Sequence, residues 1–146
     1  MAERKATAVW SGTLAEGSGA VSGGSGAFTN QAVSWASRTG DANGQTSPEE
    51  LIAAAHASCY AMAFSYVLGN AGHTIERLDV TSAVGFGPNP GGGMRVTHSH
   101  LTVKGKVPSL DQDGFAELAK QAEANCPVSN ALRNNIEITV DATLES

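Results

Sequence analysis

The 146-residue chain is short of several things: it has two cysteines, two Trp, two Tyr and four Phe, and no dense cluster of either charge. Two cysteines without a C-x-x-C spacing exclude a thioredoxin-type motif and a disulfide framework. At this length a domain buries roughly two-thirds of its unfolded surface and needs no such staple. The basic residues Arg4, Lys5, Arg38, Arg77, Arg95, Lys104, Lys106, Lys120 and Arg133 are scattered and the net charge is -5, which argues against nucleic acid as a partner. The opening "MAERKATAVWSG" lacks the apolar core of a signal peptide, so a cytoplasmic, reducing location is expected. A disulfide formed there would be transient or catalytic. The Gly-rich stretches "SGGSG" and "GPNPGGGM" lack the G-K-[ST] of a phosphate loop and read as turns. Residues 51–68 carry no formal charge, a length that raises a membrane span. Ala, Ser and His dilute that run and no basic cluster flanks it, so a central buried helix and no membrane are expected.

The elements that are present follow from periodicity and turn chemistry. "ATAVW" (6–10) reads as an opening strand, "EGSGAVSGGSG" as short strand and turn, and "QAVSWAS" (31–37) as a third strand with Arg38 in the loop beyond it. No helix is expected before residue 47. Ser47 is a natural N-cap, Pro48 stands at N1 and Glu50 at N3 completes a capping box, leaving Glu49 without a structural task. That helix should end near Leu68 at Gly69 and, being apolar nearly all round, should be enclosed. "LDVTSAVGFG" and "MRVTHSHLTVKGKV" alternate as a hairpin, and "DQDGFAELAKQAEAN" sets Phe115, Leu118, Ala119 and Ala122 on one helical face. "CPVSNALRN" starts another helix with Cys126 in the capping position, and "IEITVDATLE" (136–145) closes the chain as a strand. The whole is an α+β domain spanning 1–146, with no repeat and no linker.

Cys59 stands inside "SPEELIAAAHASCYAMAFSYVLGNAG", where a thiol can be a buried filler, a metal ligand, half of a disulfide or a nucleophile. Cys126, at a helix start where unpaired N–H groups stabilise a thiolate, is a candidate partner. His56 with Cys59 on one helix face, and His98 with His100 on one strand face, could form a zinc-like set, although a lone His on an Ala-rich helix is usually a hydrogen-bonded core residue and paired strand histidines are usually half-exposed. A Cys/His hydrolase would use His56 as base but lacks a visible third member. These residues alone leave the choice open.

"SWASRTG", the long segment around Cys59 and "NCPVSNALR", with "ATAVWSG" and "IEITVDATLE" at the two ends, resemble the osmotically inducible protein C (OsmC) family of thiol peroxidases, which includes the organic hydroperoxide resistance proteins. The arginine before the helix and the run "AAHASC" resemble the OsmC branch in particular. The resemblance implies two antiparallel sheets wrapped around long central helices in an intertwined homodimer. It also implies reduction of organic hydroperoxides, and more weakly of hydrogen peroxide, without metal or other cofactor. On it Cys59 is the peroxidatic thiol, Cys126 the resolving thiol, and Arg38 with Glu49 the polar pair of the site. The chemistry asks for such types: a guanidinium stabilises a thiolate and polarises the O–O bond, and a carboxylate fixes the guanidinium. An external dithiol, such as a lipoyl-type one, would reopen the disulfide.

Helix geometry adds one constraint. Glu49 and Cys59 are ten residues apart on one expected helix, about 15 Å along its axis, so a catalytic Glu49 would have to serve the other subunit's Cys59. The competing class is a carrier of this fold for a small apolar ligand, with Trp10, Trp35, Tyr60, Phe64 and Met62 as candidate lining.

Overall fold

The computed structural model describes residues 1–146 and divides into two compact units, Met1–Leu51 and Ile52–Ser146. In the first, β1 (Ala6–Ser11), β2 (Ser18–Gly23) and β3 (Gln31–Val33) form an antiparallel sheet in the order β1-β2-β3. No apolar residue of this unit is fully buried, and Val9, Trp10 and Leu14 are exposed.

The third strand is shorter than expected, and a helix precedes residue 47. Residues 35–39 form α1 (Trp35–Thr39). The cause is a capping box made by two serines: Ser34 Oγ accepts the Ser37 N–H at 3.1 Å, and Ser37 Oγ accepts the Ser34 N–H at 3.3 Å. The S-x-x-S spacing thus does what S-x-x-E usually does and turns the chain out of the sheet. Arg38 therefore lies in the last turn of α1 instead of a loop.

The long helix α2 (Pro48–Asn70) starts where expected, with the Ser47 hydroxyl accepting the Glu50 N–H at 3.1 Å. The Glu50 carboxylate accepts the Thr46 hydroxyl at 2.6 Å, so only half of the expected box forms. The helix passes through Gly69 and ends in a Schellman motif: Gly72 has φ +84°, the His73 N–H bonds the Leu68 carbonyl and the Gly72 N–H bonds the Gly69 carbonyl, both at 3.0 Å. Length and composition would let α2 cross a membrane. It nevertheless turns His56, Tyr60, Phe64, Val67 and Leu68 into a protein core. Within the single chain its other face is open, with Met62 and Tyr66 about two-thirds exposed, at 69% and 68%.

In the second unit β4 (Arg77–Pro88), β5 (Met94–Lys106) and β6 (Glu137–Leu144) form a sheet in that order. The first two pair as the expected hairpin. The expectation of two antiparallel sheets needs correction here, because β6 runs parallel to β5. The connection allows this: α3 (Gln112–Asn125) and α4 (Pro127–Leu132) intervene, and a crossover of that length is what a parallel return needs.

The α3 helix is capped by Asp111, whose carboxylate accepts the Gly114 N–H at 2.8 Å, and it buries Phe115, Ala119 and Ala122. Phe64 links two ring contacts, to Tyr60 at 5.7 Å and to Phe115 at 5.0 Å, and the Tyr60 hydroxyl donates to the Ala119 carbonyl at 2.9 Å. Each such large side chain contributes about 1.5–3 kcal/mol when removed from water. Gly105 on β5 leaves the space that the Phe115 ring fills. This core fixes α2 against α3 and so places Cys59 and Cys126.

Candidate active site

The four expected site residues fall into two pairs. In the first unit Arg38 grips Glu49: its Nε donates to the two carboxylate oxygens at 3.2 and 3.1 Å, and its Nη2 donates to Oε1 at 2.7 Å. Glu49 is nearly buried, at 8% side-chain exposure, and Arg38 is less so at 29%. A fork-shaped contact of this kind fixes the guanidinium plane. Beside it a cleft of about 390 Å³ is lined by Trp10, Leu14, Val33, Trp35 and Arg38.

In the second unit the two cysteines meet. Cys59 neighbours the Cys126 thiol and the Val128 N–H, both of which act on its pKa. Cys126 caps α4 as its sequence position implied, its sulfur accepting the Ser129 N–H at 3.5 Å. Successive N–H groups of the first turn of α4 thus serve the two sulfurs. Both cysteines are free thiols, Cys126 fully buried and Cys59 half-buried. Cys59 opens on a mostly apolar cleft of about 490 Å³ with Met62, Ala63, Tyr66, Asn125 and Pro127. Tyr60 and Phe64, expected as lining, do not reach it: they lie on the opposite face of α2, in the core.

Burial pushes the Cys59 thiol above its ordinary pKa, the Val128 N–H pulls it down, and the adjacent Cys126 raises it further. No cation contributes. A thiol so placed favours its protonated form, and a positive charge brought to it would favour the thiolate.

The histidines considered as metal ligands bond elsewhere. His56 holds Ser99 through Nδ1 at 2.6 Å and Ser129 through Nε2 at 2.7 Å. His98 and His100 stack on each other with ring centroids 4.2 Å apart, and His100 meets Glu137 at 3.3 Å. No three His, Cys, Asp or Glu side chains converge as a metal group would require. Ser129 and Val128 were not singled out from the sequence. The signal was available for Ser129, which stands three residues after the capping cysteine, the spacing that brings an N–H back to the cap.

Residues 40–141 match the family model described as "OsmC-like protein". The chain is 38% identical over 143 residues to a protein named "Peroxiredoxin OsmC" from Escherichia coli (strain K12), covering 98% of this chain and 97% of that one. It is 34% identical over 96 residues to an "Organic hydroperoxide resistance protein" from Xanthomonas axonopodis pv. citri, 65% of each chain. Its fold matches the crystal structure of an organic hydroperoxide resistance protein from Elizabethkingia anophelis with TM-score 0.71 and 26% identity, over 95% of this chain and 96% of that one.

Proposed function

The chain belongs to the OsmC-like protein family, and from that premise we propose that it is a thiol peroxidase that reduces organic hydroperoxides, using Cys59 as the peroxidatic and Cys126 as the resolving residue. The observation that carries this reading is the neighbouring of two free thiols at the start of α4, one open to an apolar cleft and the other buried behind it. A peroxide entering the cleft meets Cys59 first. The names of the relatives point to the same chemistry.

In this reading the Cys59 thiolate attacks one oxygen of ROOH. The O–O bond breaks, a sulfenic acid forms on Cys59, and the alkoxide leaves as ROH after taking a proton. The Cys126 sulfur then attacks the sulfenic sulfur; an S–S bond forms, the S–O bond breaks and water departs. An external dithiol of the lipoyl type supplies the two electrons and two protons that restore both thiols. Hydrogen peroxide would be a poorer substrate because it gains nothing from an apolar cleft.

Arg38 supplies the missing cation in this reading, with Glu49 holding it. The partner that brings it is a second copy of the chain. Three features support a homodimer: the apolar outer face of α2 with Met62 and Tyr66, the sheet of the first unit without a buried apolar residue, and the roughly 15 Å of helix between Glu49 and Cys59. A reducing cytosol, where the cysteines rest as thiols, completes the proposal. The test is peroxide consumption with an alkyl hydroperoxide and dihydrolipoamide. Turnover lost on Cys59→Ser supports the reading, and a folded wild-type protein that consumes no peroxide refutes it.

A further inference from the structure

We propose that His56 is a positioning residue for disulfide formation, holding Ser129, and with it the Cys126 sulfur, through a buried chain of serine and imidazole. The proposal rests on the reading of Cys126 as the resolving thiol. His56, Ser99, Ser129 and Cys126 are all fully buried. The chain runs from Ser82 Oγ to Ser99 Oγ at 2.9 Å, to His56 Nδ1 at 2.6 Å, and from His56 Nε2 to Ser129 Oγ at 2.7 Å. Ser129 then gives its N–H to Cys126 Sγ. His56 is thus one helical turn before Cys59 in sequence and linked to the second cysteine through Ser129.

The direction of the chain follows from its acceptors. The buried Ser129 hydroxyl has one hydrogen-bond partner for its proton, His56 Nε2. Nε2 therefore accepts, the ring proton sits on Nδ1 and is donated to Ser99, and Ser99 donates to Ser82. An imidazolium would present two donors and leave the Ser129 proton without an acceptor. Burial likewise lowers the imidazole pKa, against the opposite pull of Glu123 on α3. His56 is consequently a neutral acceptor whose product is the fixed orientation of Ser129. That residue stands in the first turn of α4, the turn whose N–H groups hold both sulfurs. Releasing it frees Cys126 to turn away from Cys59, which slows the attack of the Cys126 sulfur on the Cys59 sulfenic acid without changing how that sulfenic acid arises. A misplacement of about 1 Å is enough to lower such a rate strongly.

Two near-isosteric substitutions separate this from mere packing. In His56→Gln the amide oxygen can occupy the place of Nε2 and accept the Ser129 hydroxyl, losing Ser99. In His56→Asn the amide nitrogen can occupy the place of Nδ1 and keep Ser99, losing Ser129. The full-length variants are followed in a single turnover with an alkyl hydroperoxide, with mass spectrometry resolving sulfenic acid, disulfide and sulfinic acid. Disulfide formation should be slowed about tenfold in His56→Asn, the scale of one unpaired buried hydroxyl, and stay within about threefold of wild type in His56→Gln. Sulfinic acid should accumulate in the Asn variant alone, and sulfenic acid should appear at the wild-type rate in both.

Equal slowing in the two variants, or no slowing in either, overturns the proposal. Should either variant fail to fold, Ser129→Ala removes only the hydroxyl and must slow the same step; a wild-type rate there is equally decisive against it. Diamide separates the proposal from the peroxidase reading. It oxidises two thiols to a disulfide by taking up two electrons and two protons itself, so the same ordering of variants is expected even if no peroxide is consumed.

Discussion

The Cys59 thiol has the Cys126 thiol as its neighbour, so the half-buried sulfur of α2 and the fully buried sulfur that caps α4 share one site. Oxidation of the one therefore has an immediate thiol neighbour in the other.

One equivalent of alkyl hydroperoxide should convert the protein to an intramolecular Cys59 to Cys126 disulfide, read by peptide mapping without reductant. Cys59→Ser should lose the first oxidation altogether. Cys126→Ser should keep one oxidation and then stall, going on to sulfinic acid with excess peroxide. Equal loss of the first event in both folded variants would contradict the assigned roles.

The pH dependence of Cys59 carries a sign. Burial and Cys126 together raise its pKa in the single subunit. If Arg38 of a second copy lowers it, Arg38→Gln should move the pH profile of Cys59 alkylation in the alkaline direction. At a fixed pH on the acid side of both profiles the thiolate fraction, and with it the rate, should fall about tenfold for every pH unit the profile moves, and it should recover at high pH. An unchanged profile would show that Arg38 does not act on this thiol.

Glu49 offers a test of the assembly. Glu49→Ala and Cys59→Ser, each inactive alone in this reading, should complement when mixed and allowed to exchange. Equal amounts exchanging at random restore up to about a quarter of the wild-type sites. Subunit exchange observed by mass spectrometry without regained activity would mean that Glu49 acts within its own chain through a bent helix, or that it only caps the helix.

Substrate preference should follow the cleft. Its walls beside Cys59 are Met62, Ala63 and Tyr66, so catalytic efficiency should rise from hydrogen peroxide to alkyl hydroperoxides, each buried methylene adding up to about 0.8 kcal/mol. Comparable kcat/KM values for small and long-chain peroxides would show that the cleft contributes little.

The core makes a prediction independent of the chemistry. A Cβ at position 105 would collide with the Phe115 ring. Gly105→Ala should destabilise by about 1–3 kcal/mol, measured by urea denaturation, since the ring is hemmed in by Phe64.

Local rules carried most of the element map. The Pro48 start of α2, the hairpin of β4 and β5, the apolar stripe of α3 and the capping place of Cys126 each depend on neighbours within a few residues, and each is where its pattern puts it. The failures are instructive for the same reason. The helix α1 was hidden because Ser37 replaced the expected acid at the end of its capping box, and the end of α2 moved because Gly72, not Gly69, takes the left-handed turn.

By itself the sequence determined the residue types on which the proposed chemistry depends: two cysteines, an arginine and a glutamate, and the helix that separates Glu49 from Cys59 by ten residues. Tertiary structure alone decided which atoms meet. The neighbouring of Cys59 and Cys126, the parallel pairing of β6, the place of Tyr66 instead of Tyr60 and Phe64 beside Met62 in the cleft, and the imidazole bridge from Ser99 to Ser129 all join distant segments. Such contacts depend on which face of each helix the core claims, and that is settled by the simultaneous packing of α2, α3 and the sheet rather than by any local pattern.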